Sequence, residues 1–299
     1  MTAPAAITAE SLRRMPLPSL DDDADKDARG RVLIVGGAVE NPGGLLLAAE
    51  AAIRAGAGKL QLATADAIAP LVAIAVPEAR VFALPASGSD GLDRRGAPDL
   101  AEKADRVNAL LIGPGLVDED AAGRFTREVL RRIEKPAVVL DAGGLAALRE
   151  DPDALARLEG RAVLTPHAGE MAQLLGVERD DIAADPVSAA RRAVERFGAV
   201  VALKGAETVI AAPDGSLLRY DGGGVGLATS GSGDVLGGIV CGLLARGANP
   251  LCAAAWGVFL HGEAGNALAA RYGAVGFLAR ELPGEVPRIL HRVFSTQEE

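Results

Sequence analysis

Gly226-Leu227-Ala228-Thr229-Ser230-Gly231-Ser232-Gly233-Asp234 runs without a break into Val235, Leu236, Ile239, Val240, Leu243 and Leu244. The second half is an apolar stripe at helical spacing, so a loop of small residues opens directly onto a helix. Small residues let backbone N–H groups converge, and the helix N-terminus adds partial positive charge. Such a loop can hold a phosphate or a charge-developing oxygen without a basic side chain. Asp234, in the first turn, is placed to move a proton beside that anion hole. A plainer alternative stays open, in which Ser232 or Asp234 only caps the helix. A cap needs one such residue, however, and this stretch supplies several glycines and hydroxyls.

Upstream, short aliphatic runs alternate with segments of helical length. Val32–Val35, Leu60–Ala63, Val81–Leu84, Ala109–Ile112, Ala137–Leu140, Ala162–Leu164 and Val200–Leu203 are continuous apolar runs bounded by Gly, Pro or charge. Runs of that kind are strands covered on both faces. Helical segments such as Glu119–Glu134 and Asp185–Phe197 lie between them, which predicts βαβ units and a mostly parallel sheet with helices on both sides. Thr208–Ala211, the turn Pro213-Asp214-Gly215 and Leu217–Tyr220 predict a late β-hairpin. A second helix opens at Pro250, and a third spans Leu278–Val293. The expectation is an α/β chain of at most ten strands: a polar lead-in over 1–30, draped or mobile, and a single catalytic domain over 31–299. Pro85–Pro98, polar and glycine-rich, is expected to be a loop or lid.

Composition narrows the function. The chain has 299 residues, 49% hydrophobic and 24% charged, as in a globular metabolic protein. Aromatic residues are only 3%, which leaves few stacking platforms for single-stranded nucleic acid. The formal net charge of -9 opposes binding to a nucleic acid or to an anionic membrane surface. No apolar run reaches the roughly 18 residues of a membrane span. The start of the chain, through Leu20-Asp21-Asp22-Asp23, lacks the pattern of a secretory signal. Cys241 and Cys252 are the only cysteines, in apolar surroundings, so a reduced cytoplasmic setting is expected. The 37 glycines stand well above the usual share of about 7%.

Familiar nucleotide signatures fail. Gly58-Lys59 is followed by Leu60 and has Ile53 where a Walker A loop needs glycine. Gly222-Gly223-Gly224-Val225-Gly226-Leu227 lacks the third glycine of a Rossmann fingerprint in register. Other turns fall at the carboxyl ends of strands, the edge where open α/β sheets bind ligands. Lys204-Gly205-Ala206-Glu207-Thr208 is one; a lysine there can reach the crevice or simply end a strand in solvent. Thr165-Pro166-His167-Ala168-Gly169-Glu170 is another, and its bland alternative is a helix start. Gly36 to Gly44, Gly113-Pro114-Gly115, and Asp141 in Leu140-Asp141-Ala142-Gly143-Gly144 complete the set.

In order, these segments resemble one family, the ADP-dependent NAD(P)H-hydrate dehydratases of the ribokinase-like superfamily. The resemblance covers Arg31 to around Arg292, and Thr165–Glu170 and Ala228–Gly238 are its most specific parts. The glycine-rich loop with Asp234 is common to the superfamily. Sugar-kinase branches carry Asn-x-x-Glu where this chain has His167 and Glu170, and the histidine is the dehydratase-like pattern.

The resemblance implies a three-layer α/β/α sandwich and a dehydratase module without an epimerase domain, so a separate epimerase is the expected functional partner. It implies repair of the S-form of NADH or NADPH hydrate, with ADP or ATP phosphorylating the hydrate's hydroxyl and phosphate then leaving. Residue by residue, Gly44, Gly115, His167 and Asp234 match hydrate-contacting positions, with Asp234 the base. Gly231 and Gly233 match the phosphoryl-stabilising backbone, and Lys204 to Thr208 with Gly233 the AMP segments. A magnesium ion is implied, with Glu170 a candidate metal residue acting behind the ion's direct ligands or through water, as is a homo-oligomer, a homotetramer. Two departures stand out: Gly44 where many relatives have Ala, and Gly223–Leu227 where they commonly have Gly-Asn-Pro-Gly-Met. A hydroxyethylthiazole-type or sugar-type kinase and a non-catalytic nucleotide-binding regulator are the alternatives.

Overall fold

The computed structural model describes residues 3–19, 25–87 and 91–295. Its strands are β1 (Ala5–Ala6), β2 (Arg31–Val35), β3 (Lys59–Ala65), β4 (Ala79–Leu84), β5 (Ala86–Ser87), β6 (Gly91–Leu92), β7 (Ala109–Ile112), β8 (Ala137–Leu140), β9 (Ala162–Leu164), β10 (Val200–Leu203), β11 (Thr208–Ala211) and β12 (Leu217–Tyr220). Its helices are α1 (Ala9–Arg13), α2 (Gly43–Arg54), α3 (Ala69–Ala75), α4 (Ala97–Ala104), α5 (Glu119–Leu130), α6 (Ala147–Glu150), α7 (Ala168–Leu175), α8 (Arg179–Ala184), α9 (Pro186–Phe197), α10 (Ser232–Ala245), α11 (Pro250–Tyr272) and α12 (Leu282–Ser295).

Ten strands form one sheet in the order β1-β12-β11-β10-β9-β8-β7-β2-β3-β4. From β4 through β10 every neighbouring pair is parallel. Val35 stands between Ala63 and Ile112, so the carboxyl ends of neighbouring strands line up along one edge. Every residue of β7 and β10 is buried, which is why these strands read as unbroken aliphatic runs. The hairpin β11–β12 adds two antiparallel strands. Helices α2, α10, α11 and α12 pack together on one face, with α10 on β7 and β8. Helices α4, α5, α7 and α9 form the other layer, with α9 on β10 and β11. The expected α/β/α sandwich is the observed one.

Glycine works between helices as well as in loops. A Cβ on Gly238 would sit 2.3 Å from the Ala48 carbonyl oxygen, and one on Gly242 would sit 2.5 Å from that of Ala52. Helix α10 therefore lies backbone against backbone on α2, which is possible only without side chains there.

The first residues differ from the expected lead-in. β1 pairs in parallel with β12, Thr8 caps α1, and Ile7, Leu12 and Leu17 are buried. The Trp256 indole N–H donates to the Met15 carbonyl at 2.7 Å. Residues 3–19 are built into the domain. Three apolar residues spaced five apart have neither a strand nor a helix period, so no pattern announced them. Leu20–Asp23 lie outside the described residues. Pro85–Pro98 is not a plain loop: β5 and β6 pair antiparallel, Pro98 sits in the first turn of α4, and residues 88–90 lie outside the description.

Candidate active site

The N-terminus of α10 is left open. Gly231 takes a left-handed φ of +87°, and a Cβ there would lie 2.3 Å from Leu47 Cδ1, so only glycine suits the turn. No side chain caps the helix. The Ser232 N–H donates to the Thr229 carbonyl and the Val235 N–H to that of Gly231. Between them, the N–H groups of Gly233 and Asp234 have no backbone acceptor among the described residues, as a first helical turn dictates. The capping alternative for Ser232 and Asp234 therefore fails.

Gly44, Gly115 and Asp234 come together although they are far apart in the chain. A Cβ on Gly44 would lie 2.7 Å from the Gly115 nitrogen and 3.0 Å from both Asp234 carboxylate oxygens. The Gly36–Gly44 and Gly113–Gly115 turns are stitched by Gly37 N–H to the Pro114 carbonyl, 2.8 Å, and Ala38 N–H to the Gly115 carbonyl, 3.0 Å. Gly115 has φ +70° and the Asn41 carbonyl where a side chain would start.

Asp141, at the end of β8, is 1% exposed. Its Oδ1 accepts from Thr165 Oγ1 at 2.8 Å and from Lys204 Nζ at 2.8 Å. Lys204 Nζ lies 3.9 Å from Glu170 Oε2 and would be 3.3 Å from a Cβ on Gly233. The lysine therefore stands beside the open helix end, not in solvent. Burial lowers its basicity, but the Asp141 and Glu170 carboxylates more than offset this and hold its pKa above the usual value. Burial pushes the Asp234 carboxyl up to about 7, reinforced by the charge of Asp141 and opposed by Lys204. Burial also raises Glu170, with Lys204 pulling it back.

His167 and Glu170 form a capping box. His167 Nδ1 accepts from the N–H groups of Gly169 and Glu170, and Glu170 Oε2 accepts from the His167 N–H at 2.7 Å. The bland alternative for this pair is correct as far as Nδ1 and Oε2 go. The His167 side chain is nevertheless 59% exposed, and the residue lines the principal cavity. That cavity, about 730 Å³, is bounded by the 204–208 turn, the 220–233 segment and α11. Lys204, Gly205, Ala206, Thr208 and Gly233 line it. Glu207 does not: its carboxylate is turned to Arg219, 3.3 Å away.

Sequence reasoning missed two residues. Asp141 stood out as a strand-ending acid but carried no role, because its value comes from Lys204, 63 positions later. His261, on α11, lies with Nε2 2.9 Å from Ser232 Oγ. Its only signal was a histidine closing the apolar stretch Trp256–Leu260 of its helix. For a metal, the described residues hold no ready cluster of three His, Cys, Asp or Glu ligands. Among the described residues the Asp234 carboxylate has no hydrogen-bond donor, and Glu170 Oε1 faces His167 Nε2 at 3.6 Å. No helix among the described residues is long and apolar enough to cross a membrane.

A carboxyl titrating near neutrality, an uncapped helix end and a lysine between buried acids form a site suited to proton and phosphoryl transfer. Similarity to known proteins agrees with this. The chain is 48% identical over 298 residues to the ADP-dependent (S)-NAD(P)H-hydrate dehydratase of Xanthomonas campestris, covering 98% of this chain and 99% of that one. It is 40% identical to a bifunctional NAD(P)H-hydrate repair enzyme of Moorella thermoacetica, where it spans about half of that longer protein (53%) and 94% of itself is matched. The crystal structure of the ADP/ATP-dependent NAD(P)H-hydrate dehydratase of Bacillus subtilis, co-crystallised with ATP and Mg2+, superposes with a TM-score of 0.81 at 30% identity, covering 98% of this chain and 99% of that one. The family described as NAD(P)H-hydrate dehydratase matches residues 32–288, and the chain belongs to that family.

Proposed function

We propose that this chain returns the S-form of NADH or NADPH hydrate to the reduced cofactor, with ADP or ATP as the phosphoryl donor. The observation that carries this reading is the position of Asp234. Its carboxylate lies against Gly44 and Gly115 on one side and at the open start of α10 on the other, with a pKa raised to about 7.

In this reading the hydrate lies along Gly44, Gly115 and His167. The nucleotide lies in the cavity along Lys204, Gly205, Ala206, Thr208 and Gly233. Asp234 takes the proton of the hydrate's hydroxyl as that oxygen bonds to the terminal phosphorus of the nucleotide. The bond from that phosphorus to the bridging oxygen breaks, and AMP leaves when ADP is the donor. The N–H groups of Gly233 and Asp234 donate to the phosphoryl oxygens, and Lys204 adds positive charge beside them. The phosphorylated carbon then releases phosphate while its neighbour gives up a proton, and the ring double bond reforms.

A magnesium ion fits the donors present. Mg2+ usually binds one or two carboxylates plus phosphate oxygens and waters, not a cage of protein ligands. Glu170 Oε1 and the Asp234 carboxylate have lone pairs to give, whereas Asp141 Oδ1 is already held by Thr165 and Lys204. When bound, the ion supplies neutralisation of the phosphate charge. A separate epimerase supplying the S-form, self-association as a homotetramer and cytoplasmic residence belong to the same proposal; light scattering and cell fractionation test the last two.

The test is to incubate the protein with the hydrate, Mg2+ and ADP or ATP, and to follow recovery of reduced-cofactor absorbance. Recovery with either nucleotide supports the reading. Folded protein that recovers none with both overturns it.

A further inference from the structure

His261 faces the start of α10 because of how α11 is packed. A Cβ on Gly262 would meet Tyr220 Cε1 at 2.1 Å, so the tyrosine ring seats directly on the helix backbone beside His261. On the α10 side, a Cβ on Gly257 would lie 2.5 Å from Val240 Cγ2, so glycine is needed there too. With α11 held this close, His261 Nε2 stands 2.9 Å from Ser232 Oγ, and both residues line the principal cavity. Burial keeps the imidazole neutral, its pKa drawn down to about 4 against an opposing interaction with the Ser232 backbone, and the nearby Lys204 charge acts with burial.

A neutral imidazole has one ring nitrogen with a proton and one without. If Nε2 carried the lone pair, it would draw the serine's proton away from the cavity. If Nε2 carries the proton, it donates to Ser232 Oγ and leaves the serine's own proton free. An anionic phosphoryl group at the end of α10 favours the second arrangement, because it gains a donor. An unheld serine hydroxyl rotates and can satisfy a nearby backbone carbonyl instead. Here the Ser232 N–H is already committed to Thr229, so the side chain alone is available for the cavity.

We propose that His261 is a positioning residue, whose Nε2–H donates to Ser232 Oγ and thereby turns the serine's proton toward the phosphoryl group held at the N-terminus of α10. This rests on the function proposed above. His261 itself exchanges no proton with substrate; it fixes a donor before the reaction begins, so no hydroxyl has to reorient as charge develops.

The experiment compares H261L, H261Q, S232A and the double variant S232A/H261L in the hydrate assay with saturating nucleotide and Mg2+. H261L keeps apolar bulk without a donor, and the glutamine amide can reach the Nε2 position. H261L and S232A should each lower kcat about tenfold, the kinetic equivalent of one neutral hydrogen bond. The nucleotide KM should stay within about twofold, since the loss is confined to the transition state. The double variant should be no slower than S232A, and H261Q should recover most of kcat. A double variant about a hundredfold slower, an H261Q as slow as H261L, or a loss confined to KM each overturns the proposal. If H261L does not fold, H261N, whose shorter amide matches Nδ1 and falls short of the Nε2 position, replaces it alone and with S232A on the same criteria. Wild-type protein without turnover overturns the function itself, whereas active wild type with fully active H261L overturns only the role of His261.

Discussion

Replacing Asp234 by asparagine separates the catalytic and structural consequences of one buried carboxyl. The folded protein raises its pKa from 3.8 to about 7, chiefly by burial and then by the charge of Asp141. A carboxyl with a higher pKa in the folded state binds its proton more tightly there than in the unfolded chain. The fold is therefore favoured while Asp234 is protonated, and stability falls as pH rises from 3.8 to 7. A displacement of that size corresponds to about 4 kcal/mol if water contributed nothing. Asp234 keeps partial contact with solvent, so about half of that, roughly 2 kcal/mol, is the realistic penalty above pH 7. Asparagine has nearly the same shape and no charge, so D234N should be the more stable protein at pH 8. In a chain this long, 2 kcal/mol moves Tm by about 4 °C. Thermal melts of both proteins between pH 4 and pH 8 check this, and the curves should converge toward pH 4. Turnover should move the opposite way. D234N should lose about 10²- to 10⁴-fold in kcat, the usual worth of a general base. Wild-type kcat/KM should rise through pH 7 as the carboxyl ionises. A D234N protein that melts lower than wild type at pH 8, or differs from it equally at every pH, would refute the reasoning.

Other perturbations have equally definite outcomes. Lys204→Met removes the cation that holds Asp141, which is 1% exposed, and should cost about 3 kcal/mol in chemical denaturation. The same substitution removes an opposing charge from Asp234, so any residual activity should show its ionisation shifted to higher pH. Gly238→Ala forces a methyl against the Ala48 carbonyl and should destabilise by about 1–3 kcal/mol in a thermal melt, whereas Gly43→Ala, with nothing within 4 Å, should not. Chelation by EDTA should abolish turnover yet leave the Tm of the nucleotide-free protein unchanged, because the described residues contain no ready metal cluster for the fold to depend on.

The sheet was legible because its strands are covered on both faces. Ala109–Ile112 and Val200–Leu203 had to be apolar throughout, and such runs declare themselves. β1 was not legible, since two alanines paired to the end of the hairpin carry no period. The open start of α10 was readable from its density of small residues. Of what that end of the helix faces, Gly44, Gly115 and Lys204 came only through the family resemblance, and Asp141 and His261 had no role assigned, because all five arrive from separate loops and helices by tertiary packing. His167 shows the opposite hazard: a histidine followed three residues later by glutamate drew functional attention, and its Nδ1 serves as a helix cap. The excess of glycine had two causes, tight turns at the strand ends and the close contact of α10 with α2. Only the first was apparent from the chain, since the second depends on which helices meet.

The central claim is that phosphate passes through the hydrate and leaves it, and product stoichiometry tests this most directly. Purified protein, the S-hydrate, ADP and Mg2+ are mixed, and reduced cofactor, AMP and inorganic phosphate are quantified in the same sample. The expected result is one of each per hydrate consumed, with all three absent in D234N. AMP formed together with a stable phosphorylated product, without recovery of reduced cofactor or release of phosphate, would contradict the claim and identify a kinase.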